Sequence, residues 1–171
     1  MLKDIVKYSG LFVLLVILQI FVLNNVQLSG YINPYLYVLF ILILPYEIHG
    51  WALLLVGLIT GITIDTFMNT YGMHSSATIF MAFMRPYMLR MLADREDVDK
   101  KGSPSISGNG FVWFLKYASI LVFAHHLMLF FTEAFSISTF LPTLWRTVLS
   151  SITTTIFILI GMYLFDRRSH I

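Results

Sequence analysis

Six apolar runs, parted by short clusters of charged, Gly, Pro and Asn residues, organise this chain. A helix crossing the hydrocarbon of a bilayer needs about 20 mostly apolar residues, and fewer where the bilayer thins. The runs predict spans from about Ser9 to Leu28, Asn33 to Tyr46, Trp51 to Asn69, Ser75 to Leu92, Phe111 to Thr132 and Leu144 to Phe165. The second is short and bracketed by Pro34 and Pro45. Pro34 suits a helix start, because its missing N–H would have no intrahelical partner there. Backbone polar groups in lipid must be satisfied within a helix or a closed barrel, and no period-2 alternation of a barrel strand appears, so helices are expected. The sizeable hydrophilic stretch, Ala93 to Gly110, reads ADREDVDKKGSPSISGNG and predicts a mobile connecting loop. It is either a solvated connector or a docking site for a cytoplasmic partner.

Composition supports lipid as the main solvent. The chain is 58% hydrophobic and only 12% charged, against about 25% charged in a typical soluble domain. There are no cysteines, which excludes disulfides, thiolate metal sites and cysteine nucleophiles. A net charge of +2 is too small and too scattered for a nucleic-acid surface. Lys3 and Lys7 ahead of an apolar run resemble a signal peptide, but the run ends at Asn24-Asn25 without a small-x-small cleavage site. We read it as a retained first span, in a single transmembrane domain covering residues 1–171.

The basic residues set a direction. With the N-terminus in the cytoplasm, Lys3, Lys7, Arg85, Arg90, Arg95, Lys100, Lys101, Lys116, Arg167 and Arg168 all fall inside, and Arg146 alone falls outside. Lys and Arg resist translocation, so ten of eleven on one side predicts both termini inside and an even number of spans. Trp51, Trp113 and Trp145 fall at predicted span starts, where an indole buries its ring and keeps its N–H wet. The expected fold is therefore an all-α integral membrane protein, a bundle of six transmembrane helices with both ends in the cytoplasm.

Ionisable groups at membrane depth cost on the order of 3 kcal/mol and ask for a partner or a role. Asp65 lies toward the outer end of the third span, where Gly57 and Gly61 have the four-residue spacing that lets another helix approach closely. Either it helps pack helices or it binds a partner or solute. His125 and His126 near the outer end of the fifth span, Glu133 just beyond, and Arg146 in the sixth sit at a similar depth. They predict an outer-leaflet network joining Asp65 to Arg146 or a histidine. In the fourth span, Pro86 predicts a kink, and Arg85 is expected to meet a carbonyl or carboxylate or to snorkel toward the cytoplasmic face. Thr143, Thr147, Ser150 or Ser151, and Thr154 recur at three- and four-residue steps and predict a packing seam along the sixth span.

Catalytic and metal chemistry find little support. There is no GxSxG, no phosphate-binding glycine loop, no HExxH and no close carboxylate pair within a span. Adjacent His125 and His126 point about 100° apart on a helix, and His49 and His74 fall at opposite faces. No nucleophile, base and oxyanion site assembles, so no enzyme, no cofactor and no metal is expected.

The segment GLITGITIDTFMNTYGMHSSATIF places two glycines, an intramembrane Asp65 and then Gly72 ahead of a small-residue helix start, with Arg85 in the following span. With the chain length and six spans, it resembles the rod shape-determining MreD family. That resemblance implies a fold similar to the substrate-binding S-components of energy-coupling-factor vitamin transporters. It also implies a multi-pass component of the bacterial cytoplasmic membrane that works with MreC and, through it, with MreB, RodA and a penicillin-binding transpeptidase. The implied role is a non-enzymatic scaffold or regulator of lateral peptidoglycan synthesis. On this reading Asp65, Arg85, His125, His126 and Arg146 form a polar network or partner interface, and Gly57, Gly61 and Gly72 serve helix packing. The alternative is an S-component itself, enclosing a vitamin in an outward-facing cavity.

Overall fold

The computed structural model describes residues 2–25, 32–93, 102–135 and 137–168, and among these the regular structure is helical throughout. The helices are α1 (Leu2–Phe21), α2 (Leu39–Leu42), α3 (Gly50–Met68), α4 (Met73–Leu92), α5 (Ile106–Asn109), α6 (Phe111–Ala134) and α7 (Phe140–Arg168). Single 3₁₀ turns occupy Leu23–Asn25, Leu36–Val38 and Ile137–Thr139. Four of the helices are long and apolar enough to cross a membrane: α1 extended to Asn25, α3, α6 and α7. The chain is a helical, multi-pass membrane protein.

Helix α4 matches α1 in length at 20 residues, yet it carries His74, Ser75, Thr78 and Arg85. These polar side chains are buried, while Phe83, Tyr87 and Met91 point outward. A helix wedged between two neighbours can be polar on its inner face, so its average hydropathy understates how apolar its outer face is. Packing runs in sequence from α3 to α4, α4 to α6 and α6 to α7, with α1 closing on α3 and on residues 36–42.

Two sequence expectations are corrected here. The expected helix from Asn33 to Tyr46 is broken: residues 33–35 have no regular structure, followed by the 3₁₀ turn, the four-residue α2, and then a bend. Tyr37, Val38, Leu39, Ile41 and Leu42 in it are nevertheless fully buried, at the centre of the bundle. Irregular backbone is tolerated at membrane depth only where protein groups replace the missing hydrogen bonds, and here four elements supply them. Gln19 of α1 accepts from Leu36 N at 2.7 Å and donates to Pro34 O at 3.1 Å. Thr154 of α7 accepts from Tyr35 N at 3.0 Å, and Tyr117 of α6 donates to Leu42 O at 2.9 Å. Arg85 of α4 donates to the carbonyl of Leu44.

Residues 102–110 of the expected loop are also more ordered than expected. Residues 94–101 lie outside the described residues, but Ser105 accepts from Gly108 N at 3.0 Å and starts the single turn α5. Tyr46 ties this turn to the central segment, through Tyr46 N to Gly102 O at 2.9 Å and Tyr46 Oη to Asn109 Oδ1 at 2.8 Å. Span limits shift modestly elsewhere. Helix α1 begins at Leu2 rather than Ser9, and residues 26–28 of the first predicted span lie outside the described residues.

Candidate functional site

Asp65 sits in the last turn of α3, beside the start of α4. Asn69 ends α3 in the left-handed conformation at φ 54°, and Gly72 at φ 82° turns the chain into α4. The Asp65 carboxylate accepts four hydrogen bonds. Thr70 Oγ1 (2.6 Å) and His74 N (3.0 Å) reach Oδ1, while Ser75 N (2.9 Å) and Ser75 Oγ (2.5 Å) reach Oδ2. The first amides of a helix have no intrahelical acceptor, and the helix dipole places positive charge there. A carboxylate that takes two of those amides satisfies both demands, which explains how Asp65 can be only 8% exposed without a cation.

The glycines make that corner possible. A Cβ on Gly61 would stand 2.3 Å from the Cα of Ser75, and one on Gly57 would stand 3.1 Å from the Cβ of Ala82. Both glycines therefore admit α4 of the same chain. Gly72 differs from the packing role expected of it. A Cβ there would meet nothing within 4 Å, and what the turn uses is its positive φ.

Next to this corner is a buried cluster of rings that hydropathy could not group. Tyr37 Oη is 2.9 Å from His74 Nδ1 and 2.8 Å from His125 Nε2. One phenol proton cannot serve both imidazoles, so Tyr37 donates to one and accepts from the other. His125 Nδ1 has no partner among the described residues. The sense that leaves it a bare lone pair, and not an orphaned N–H, has His125 Nε2–H donate to Tyr37 and Tyr37 donate to His74. His126 has a single neutral arrangement. Its Nδ1 faces the Val122 carbonyl at 2.9 Å and must donate, so Nε2 accepts from Thr154 Oγ1 at 3.1 Å. The Tyr35 ring packs edge-on or tilted against His74, His126 and Phe130, with centroids 5.2, 5.4 and 6.2 Å away.

Arg85 is the counterpart deeper along α4, about 15 Å from Ser75 at 1.5 Å rise per residue. It is 1% exposed. Its Nε donates to Tyr117 Oη at 2.9 Å, and its Nη2 donates to Leu44 O and, at 3.5 Å, to Pro45 O. Of the sequence alternatives, the carbonyl is what it finds. Helix α4 continues through Pro86 without interruption.

The expected network of Asp65 with Arg146 or a histidine side chain does not form. Arg146 instead pairs with Glu133 at 3.0 Å, where the side chains are 28% and 43% exposed, and covers the Phe130 ring at 4.2 Å. Asp65 spends its acceptors on the backbone and hydroxyls of residues 70–75, because they are the nearest unsatisfied donors. His125 and His126 look to Tyr37 and Thr154. The hydroxyl face of α7 is buried as expected, from Thr143 through Thr147, Ser150 and Ser151 to Thr154.

Sequence reasoning missed Gln19, Tyr37 and Tyr117 as partners, while it places His74 in the same outer polar layer as Asp65 and the histidines. Gln19 is the one with a readable signal, an amide within an apolar helix, 0% exposed in the fold. Chemically, Gln19 and Tyr117 hold backbone, Tyr37 links His74 to His125, Ser75 is committed to Asp65, and no group of three or more potential metal ligands assembles among the described residues. In comparison with known proteins, no family model, no curated protein and no solved structure matches the chain.

Proposed function

We propose that this protein is a non-enzymatic membrane scaffold or regulator of the bacterial elongation complex, of the MreD kind, working beside an MreC-like bitopic protein in lateral peptidoglycan synthesis. The reading takes α4 and the broken segment 33–46 as the two further crossings, giving six, with both termini in the cytoplasm. The observation that carries it is the α3–α4 corner. The segment that bears the resemblance forms one rigid joint, with Asp65 holding four donors and Gly61 admitting the backbone of Ser75. Its polar residues serve architecture, as a scaffold requires.

The alternative, a vitamin-binding S-component, draws some support from the broken central segment, because interrupted helices often mark solute sites in transporters. Here the freed backbone groups are taken by Gln19, Thr154, Tyr117 and Arg85, the rings of Tyr35, Tyr37, His74 and His125 pack against one another, and in the pocket of about 440 Å³ beside Asp65 the carboxylate is already bonded to Thr70 and Ser75. That favours the scaffold.

Depletion in the native host is expected to round rod-shaped cells, and pull-down in mild detergent is expected to recover an MreC-like protein. Cells that keep their shape, together with a vitamin retained through purification, would favour the transporter component. Single introduced cysteines test the topology separately. Labelling of residues near Lys7 and near Asn109 from opposite sides of the membrane would sink the proposed orientation.

A further inference from the structure

At the end of the bundle away from Asp65, a cavity of about 610 Å³ lies between the central segment, the start of α3, the end of α4 and the start of α6. Its polar lining comes from Tyr46, Arg85, Arg90, Asn109 and Trp113, and Ile48, Leu53 and Leu89 make an apolar side. Arg85 is fully buried, yet every hydrogen-bond partner found for it is a neutral oxygen. No carboxylate of a described residue stands within ion-pair distance of it. Among the described residues this buried guanidinium is held by dipoles alone, and it lines the adjacent cavity with its unit charge. Arg90 adds a second cation from the last turn of α4, on an exposed side chain. The indole of Trp113 is fixed at the rim by its bond to Leu92 O at 2.8 Å.

We infer that this cavity binds a phosphate group, carried by an anionic lipid headgroup or free in solution. Two cations and an amide border one space with the Trp113 ring at its rim, and one wall is apolar enough for the first carbons of an acyl chain. Basic pockets between transmembrane helices suit anionic headgroups for this reason. A volume of this size accommodates a phosphodiester headgroup with room for water. Gly50, the first residue of α3, lines the same cavity, and a Cβ there would meet nothing within 4 Å. A larger side chain at position 50 therefore enters the cavity without displacing the fold.

Native mass spectrometry of the full chain in neutral detergent tests this, with phosphatidylglycerol, phosphatidylcholine and inorganic phosphate as separate probes. Wild type is expected to retain phosphatidylglycerol in preference to phosphatidylcholine if the source is lipid, or to bind inorganic phosphate without a lipid preference if the source is soluble. Arg90→Gln is expected to weaken the bound probe by about fivefold, the effect of one cation near an anionic headgroup. Gly50→Leu is expected to abolish the preference while leaving the thermal midpoint unchanged. Wild type that binds neither anionic probe better than phosphatidylcholine overturns the inference. So do variants that bind the preferred probe as wild type does.

Discussion

Asp65 and Arg85, an acid and a base both buried in this bundle, solve the same problem with opposite charges at opposite depths of α4. Asp65 takes the amides that begin α4, and Arg85 takes the carbonyls that end the broken central segment. In both places backbone dipoles answer the charge, at the start of α4 for Asp65 and past the end of α2 for Arg85, and no oppositely charged side chain of a described residue takes part. The surroundings differ. Asp65 has all its bonds within ten residues of chain, so its corner is local, and the pocket beside it meets a carboxylate that is already satisfied. Arg85 bridges residues 32 to 41 positions away, so it ties three elements together and borders a cavity. The local anchor builds a joint, while the long-range anchor leaves charge available at one end of the molecule.

Substitutions separate these roles, and the largest effect is expected at the joint. Gly61→Ala puts a methyl 2.3 Å from backbone that cannot yield. It is expected to cost about 3 kcal/mol or more, as overpacking does at its upper end. Gly57→Ala, facing the side chain of Ala82 at 3.1 Å, is expected to cost under about half of that. Thermal unfolding in detergent checks the pair, and equal midpoints would break the claim that Gly61 marks the closest approach. Asp65→Ala strands four donors and is expected to lose about 3 kcal/mol, with Asp65→Asn recovering part of it, because one carboxamide oxygen still accepts.

Arg85→Lys sharpens the contrast. A single ammonium cannot reach both Tyr117 and Leu44 in the manner of a planar fork, so about 2 kcal/mol should be lost although the charge is kept. If Arg85→Lys melts with the wild type, charge alone suffices and the geometric role fails. The smallest effect belongs to the half-exposed pair: Glu133→Gln should change stability by less than about 1 kcal/mol. A larger loss there would place the outer network back at Arg146.

Much of the framework is legible in the order of residues. Long apolar runs predict α3, α6 and α7 within a few residues and the existence of α1, displaced by about seven residues, because the hydrophobic requirement of lipid acts on each run by itself. The close approach at Gly57 and Gly61 is equally readable, since small residues four apart leave a groove whatever fills it. The broken segment was not. Its apolarity from Tyr35 to Leu44 is that of a helix, and only the side chains of Gln19, Thr154, Tyr117 and Arg85 explain why it need not be one. Those partners come from four different parts of the chain.

The same division explains the sites. Sequence singled out Asp65 and Arg85, because a charge in an apolar run is conspicuous wherever it points. It could not assign their partners, since depth along a helix ranks candidates without fixing the direction a side chain faces. Asp65 met the helix start that Gly72 turns toward it, and Arg146 met Glu133. The sequence by itself determined that the chain lives in lipid, where its long helices run and which polar groups must be answered. Tertiary packing decided what answers them, because a buried hydrogen bond depends on which donor and acceptor the fold brings within 3 Å, and the linear order does not contain that distance.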